Sequence, residues 1–79
     1  MKVEVLGTGC KRCDQLYENA LSAASASTDV HVEKINDVNY FMSKGVFMTP
    51  GLVIDGKVVS VGKVLSVEEI ILKIDETKK

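Results

Sequence analysis

The sequence predicts an α/β fold: a four-stranded mixed sheet with helices on both faces, in the order β-α-β-α-β-β-α. Three observations carry that prediction. Runs rich in β-branched residues alternate with helical periodicity over the first half of the chain, which favours parallel pairing of the first two strands. Two apolar runs flanking Asp55-Gly56 form a hairpin, the strongest short-range fold signal present. A capping signal at Ser66 then opens a final helix. With 79 residues, 46% of them hydrophobic, the chain is read as one domain over residues 1–79 with a small core.

The first strand runs from Lys2 to Gly7, holding Val3, Val5 and Leu6 and ending on a glycine where the backbone must turn. Beyond it Cys13, Leu16, Tyr17, Ala20, Leu21 and Ala24 recur at the spacing of an amphipathic helix. That helix fades in the small-residue tract from Ser22 to Asp29. Val30 to Ile35 alternates as a second strand, with His31, the sole histidine, assigned to the surface. Asn36 or Asp37 caps a short helix carrying Val38, Phe41 and Met42, which Gly45 ends. Leu52-Val53-Ile54 and Lys57 to Val61 are the hairpin strands, closed by Gly62. Ser66 with Glu69 is a capping box for a helix burying Val67, Ile70, Ile71 and Ile74. Asp75 to Lys79 reads as a loose polar tail. The tyrosines, phenylalanines and methionines are assigned to the core or its edge, with Phe47 and Met48 the candidates to border a site instead.

Composition excludes several classes of function. Ten basic and eleven acidic residues, scattered along the chain, leave a net charge of −1 and no electrostatic footprint for nucleic acid. Four aromatics and no tryptophan make a poor base-stacking platform. No apolar run approaches the roughly 20 residues of a membrane span. The N-terminus lacks the apolar core of a signal peptide, so the expected location is cytoplasmic. Thiols there stay reduced, which favours a catalytic or metal-binding role for a Cys-x-x-Cys over a structural one.

The chain's two cysteines lie in Gly7-Thr8-Gly9-Cys10-Lys11-Arg12-Cys13, at the predicted junction of strand and helix. A thiol attacks only as its thiolate, and a helix N-terminus with adjacent cations lowers its pKa. Cys10 has both, from the predicted helix start and from Lys11 and Arg12; Cys13 lies one turn further in, on the apolar stripe. The asymmetry suggests that Cys10 attacks a partner disulfide and that Cys13 resolves the mixed disulfide. Thr8 is read as a helix cap, Lys11 and Arg12 as solvated residues that modulate the pair, and Glu4 as a solvated strand residue. The same spacing suits a soft-metal carrier of copper or zinc. Heavy-metal-associated domains place Thr-Cys-x-x-Cys after their first strand but run β-α-β-β-α-β. A third reading is a redox-linked binding module, whose cysteine state tunes affinity for a partner.

With Cys10-Lys11-Arg12-Cys13 after the first strand, Thr49-Pro50 before the third and Leu52-Val53-Ile54-Asp55-Gly56 as the hairpin, the chain resembles the small thioredoxin-like redox-active disulfide proteins. The resemblance extends from Glu4-Val5-Leu6-Gly7 through Val61-Gly62 to Ser66-Val67-Glu68-Glu69-Ile70. It implies a thioredoxin fold, a cis Thr49-Pro50 peptide beside the cysteines, and dithiol/disulfide exchange. The catalytic residues implied are Cys10 and Cys13, with Met48, Thr49 and Pro50 contacting substrate and no cofactor beyond the Cys10–Cys13 disulfide. Expected partners are disulfide-containing proteins or small molecules, with a separate thiol or flavin-dependent reductase as electron donor; the chain is expected to be monomeric, with no metal, nucleic acid or membrane insertion. Lys11-Arg12 replaces the Gly-Pro of typical thioredoxins and the Pro-Tyr of typical glutaredoxins. Met48 and Gly51 stand where relatives often carry serine and alanine. The paired glycines and acid of a glutaredoxin's glutathione site have no counterpart in Val61 to Ser66. Glu4, six residues before Cys10, occupies the offset of the buried acid that relays a proton in thioredoxins, the alternative that the resemblance sets beside its reading as a solvated residue.

Overall fold

A computed structural model describes residues 1–7, 9, 11–26 and 29–78. Its strands are β1 (Lys2–Leu6), β2 (His31–Ile35), β3 (Gly51–Ile54) and β4 (Lys57–Val61), and its helices are α1 (Lys11–Ser25), α2 (Val38–Ser43) and α3 (Val67–Lys78). The strands form one mixed sheet in the order β2-β1-β3-β4. Parallel strands need a long crossover, which α1 supplies between β1 and β2. β1 pairs antiparallel with β3, placing Leu6 opposite Gly51, and β3 pairs antiparallel with β4. The predicted α/β order is the one observed, and it differs from that of a heavy-metal-associated domain in following β2 with a helix and ending in one.

Local chemistry explains the boundaries. Asp55 and Gly56 turn the hairpin with φ of 50° and 82°, the pair of positive values that a tight two-residue connection needs. The Asp55 carboxylate also accepts from the Lys2 N–H at 2.8 Å, fastening the turn to the neighbouring strand. Asp37 caps α2 by accepting from the Asn39 N–H at 3.0 Å. At α3 the Ser66 hydroxyl accepts from the Glu69 N–H and Glu69 accepts from the Ser66 N–H, both at 3.2 Å, closing the capping box.

Successive residues of a strand face opposite sides of the sheet, so β1 contributes to two cores. Val3 and Val5, with Leu52 and Ile54, meet Leu16, Ala20 and Ala23 of α1 and Ile70 and Ile74 of α3. On the other face Leu6 and Val53 pack against Phe41 of α2 and Val46. Glu4 shares that second face. Because β1 is central and both its sides are covered, Glu4 is only 5% exposed, and the Tyr40 hydroxyl reaches both its carboxylate oxygens at 2.8 Å. The expectation of a solvated Glu4 is therefore corrected: alternation assigns the faces of a strand, but the second face becomes core only when α2 folds over it.

Two further expectations change. The buried stripe of α1 is Cys13, Leu16, Ala20 and Ala23, in steps of three or four, and Leu21 is exposed. The predicted loose tail from Asp75 is helical to Lys78. No glycine or proline interrupts it, the Thr77 hydroxyl bonds back to the Lys73 carbonyl at 2.9 Å, and Lys73 pairs with Glu76 at 3.8 Å.

Candidate functional site

Gly7 ends β1 and donates its N–H to the carbonyl of Ile35 at 2.9 Å, extending the β1–β2 pairing by one residue. A Cβ placed on Gly7 would lie 2.4 Å from Sγ and 2.5 Å from Cβ of Cys13. Only a glycine permits that approach. It lets Cys13, in the first turn of α1, sit directly against the end of β1 with no exposed surface. Gly9, between strand and helix, has φ of 95°, in the left-handed region that favours glycine. Cys10 and Thr8 lie outside the described residues.

Asp14 follows Cys13 and pairs with Lys34 of β2, carboxylate to ammonium at 2.5 Å. That hydrogen bond holds the Lys34 pKa above the usual lysine value, against the opposing effect of desolvation, and the field of nearby Cys13 acts in the same direction as Asp14. Lys34 also stands 5.6 Å from the centre of the Tyr17 ring. The ion pair thus fastens the start of α1 to an edge strand beside Cys13.

Pro50 precedes β3, and the register that sets Leu6 opposite Gly51 brings it to the same end of the sheet as Gly7. The Thr49–Pro50 peptide is cis. Pro50 is fully buried, Thr49 half-buried and Met48 exposed, and Phe47 is 78% exposed. Phe47 is thus a surface residue, not a core one. With Thr49, Val46 and the α2 residues Val38, Phe41 and Met42 it lines a shallow, mainly apolar cleft of about 300 Å³ beside the proline. Lys11 is exposed, as expected. Arg12 is exposed too, yet it is not merely solvated: Nη2 donates to the carbonyl of Gly62 at 2.7 Å, and Gly62 in turn donates its N–H to the carbonyl of Pro50 at 2.7 Å. The structure therefore brings together Gly7, Arg12, Cys13, Pro50 and Gly62. His31 stands apart on β2, with Nε2 3.5 Å from Glu33.

Gly62 is the site residue that sequence reasoning missed. In the sequence it is a strand-closing glycine, and its partner Arg12 is 50 residues away. Beneath the sheet, burial and the hydrogen bond to Glu4 push the Tyr40 pKa up to about 12. Among the described residues, no three His, Cys, Asp or Glu side chains gather as a metal centre would need. No helix of the described residues is long and apolar enough to cross a membrane. No curated protein matches the chain. A family model does: the one described as a thioredoxin domain matches residues 1–75, covering every residue that the site brings together.

Proposed function

The chain belongs to the family of thioredoxin domains, and on that premise we propose that it is a thiol–disulfide oxidoreductase working through Cys10 and Cys13. The observation that carries the reading is the seat of Cys13: buried against Gly7 in the first turn of α1, at the end of the sheet where Pro50 leads into β3. Cys10 immediately precedes Lys11, the first residue of α1, where the positive end of the helix dipole favours an anionic sulfur.

The Cys10 thiolate attacks one sulfur of a target disulfide, forming a Cys10–target disulfide and expelling the other target sulfur as a thiolate. Cys13 then gives its proton to the expelled target thiolate or to water and attacks the Cys10 sulfur. The Cys10–Cys13 disulfide forms, the second target sulfur leaves as a thiolate, and two electrons have passed from the dithiol to the target. Burial makes Cys13 a poor first nucleophile but leaves it well placed for an intramolecular second attack. Met48, Thr49 and Pro50 form the edge against which the target lies, and Lys11 and Arg12 modulate the pair electrostatically. A separate thiol or a flavin-dependent reductase returns the two electrons, as the reducing pool of a cytoplasm can.

The test is reduction of insulin disulfides with dithiothreitol as electron source. Cys10→Ser is expected to abolish turnover. Cys13→Ser is expected to retain the first attack and accumulate a mixed disulfide, visible as a mass adduct that a reductant removes. Full activity in Cys10→Ser would overturn the assignment.

A further inference from the structure

Gly62 joins two parts of the site that lie far apart in the chain. Its carbonyl accepts from Arg12 and its N–H donates to Pro50, each at 2.7 Å. The chain can serve both partners at one residue because φ there is 73°, a conformation that glycine adopts without steric cost. A Cβ on Gly62 would lie 3.5 Å from Cβ of Met48, so Gly62 also sits beside the exposed residue at the head of the Pro50 loop. Contacts therefore run from Arg12, the residue directly before Cys13, through Gly62 to the loop of Met48, Thr49 and Pro50.

An exposed charged contact of this kind contributes little to stability. Its geometric effect is larger. It ties the first turn of α1 to the residue that follows β4 and, through that residue, to Pro50. The two parts are thus joined before any substrate arrives, and preorganisation of that kind improves binding by removing an ordering cost. A polypeptide disulfide is large enough to touch both parts at once, whereas a small disulfide is not.

We infer that Arg12 is a positioning residue for the exchange reaction, holding Gly62 and the Pro50 loop in place for polypeptide disulfides. The inference rests on the oxidoreductase reading. It gives Arg12 a role in substrate affinity, acting through Gly62, in addition to its electrostatic effect on the cysteine pair.

The experiment compares steady-state reduction of insulin and of a small aromatic disulfide by the wild type, Arg12→Ala and Arg12→Lys, together with hydrogen exchange at the Gly62 amide. Arg12→Ala is expected to raise KM for insulin about three- to tenfold, as the loss of one charge-assisted hydrogen bond implies. The rise should exceed any change in kcat and any change in KM for the small disulfide, and the Gly62 amide should exchange faster. Arg12→Lys, which keeps a donor on a long stem, should recover part of the insulin KM. An unchanged insulin KM in Arg12→Ala, an equal effect on both substrates, or no recovery with lysine would overturn the role of Arg12 while wild-type turnover stands. No turnover by the wild type would instead reject the oxidoreductase reading, and with it this one.

Discussion

The approach of Gly7 to Cys13 is the tightest steric constraint at the site. Gly7 is not held by a positive φ, so its requirement is one of volume alone, set by a side chain six residues on that has no room to retreat. Gly7→Ala must push Cys13 outward, tilt the first turn of α1, or spread β1 from the helix. Overpacking of this kind costs about 1–3 kcal/mol. Thermal unfolding should register that loss, and the Cys13 thiol should become more reactive toward an alkylating agent as it is displaced. A variant as stable as the wild type, with Cys13 equally protected, would contradict the close packing. Gly7 was legible in the sequence only as the end of a strand. Its steric reason involves a residue across a turn, which no local pattern encodes. Arg12 was illegible for a related cause, since a cation in a short polar segment reads as solvated until its partner, just beyond a distant strand, is known.

At the level of elements, what was legible was local. The hairpin followed from Asp55-Gly56 because the turn's own backbone demands those residues, and the start of α3 followed from Ser66 and Glu69 because both hydrogen bonds lie within one turn. What failed depended on neighbours. Leu21 fits a helical stripe as well as Ala23 does, but only Ala23 lies on the face that the sheet and α3 cover. The sequence places Val38, Phe41 and Met42 on α2, and of the three only Phe41 is buried. The capping box also supports a numerical expectation. Ser66→Ala removes the acceptor for the Glu69 N–H while leaving the helix's buried face intact, at a cost of about 1 kcal/mol. Denaturant unfolding should show this as a lower midpoint with an unchanged slope. A change in slope would mean that α3 frays more deeply than its cap.

Across the whole molecule the sheet separates two unequal cores, a larger one under α1 and α3 and a smaller one under α2. The smaller holds the one buried charged side chain among the described residues, Glu4, and meets its need for a donor with the half-buried Tyr40 hydroxyl. That pairing ties the stability of the α2 side to pH. The phenol must stay protonated to donate, and its pKa is pushed up to about 12 from the 10.0 of an ordinary tyrosine. A group whose pKa is higher in the folded state binds its proton more tightly there. Its contribution is therefore complete below about pH 10 and is lost as pH rises toward 12. Tyr40→Phe leaves the Glu4 carboxylate buried without that donor, a loss of about 1–3 kcal/mol at neutral pH. Other groups titrate in the alkaline range, so the informative quantity is the stability difference between wild type and Tyr40→Phe at each pH. That difference should hold steady up to about pH 10 and shrink by pH 12. Were it to persist undiminished at pH 12, the proton on Tyr40 would not be the source of the stabilisation, and ring packing against the α2 core would have to account for it.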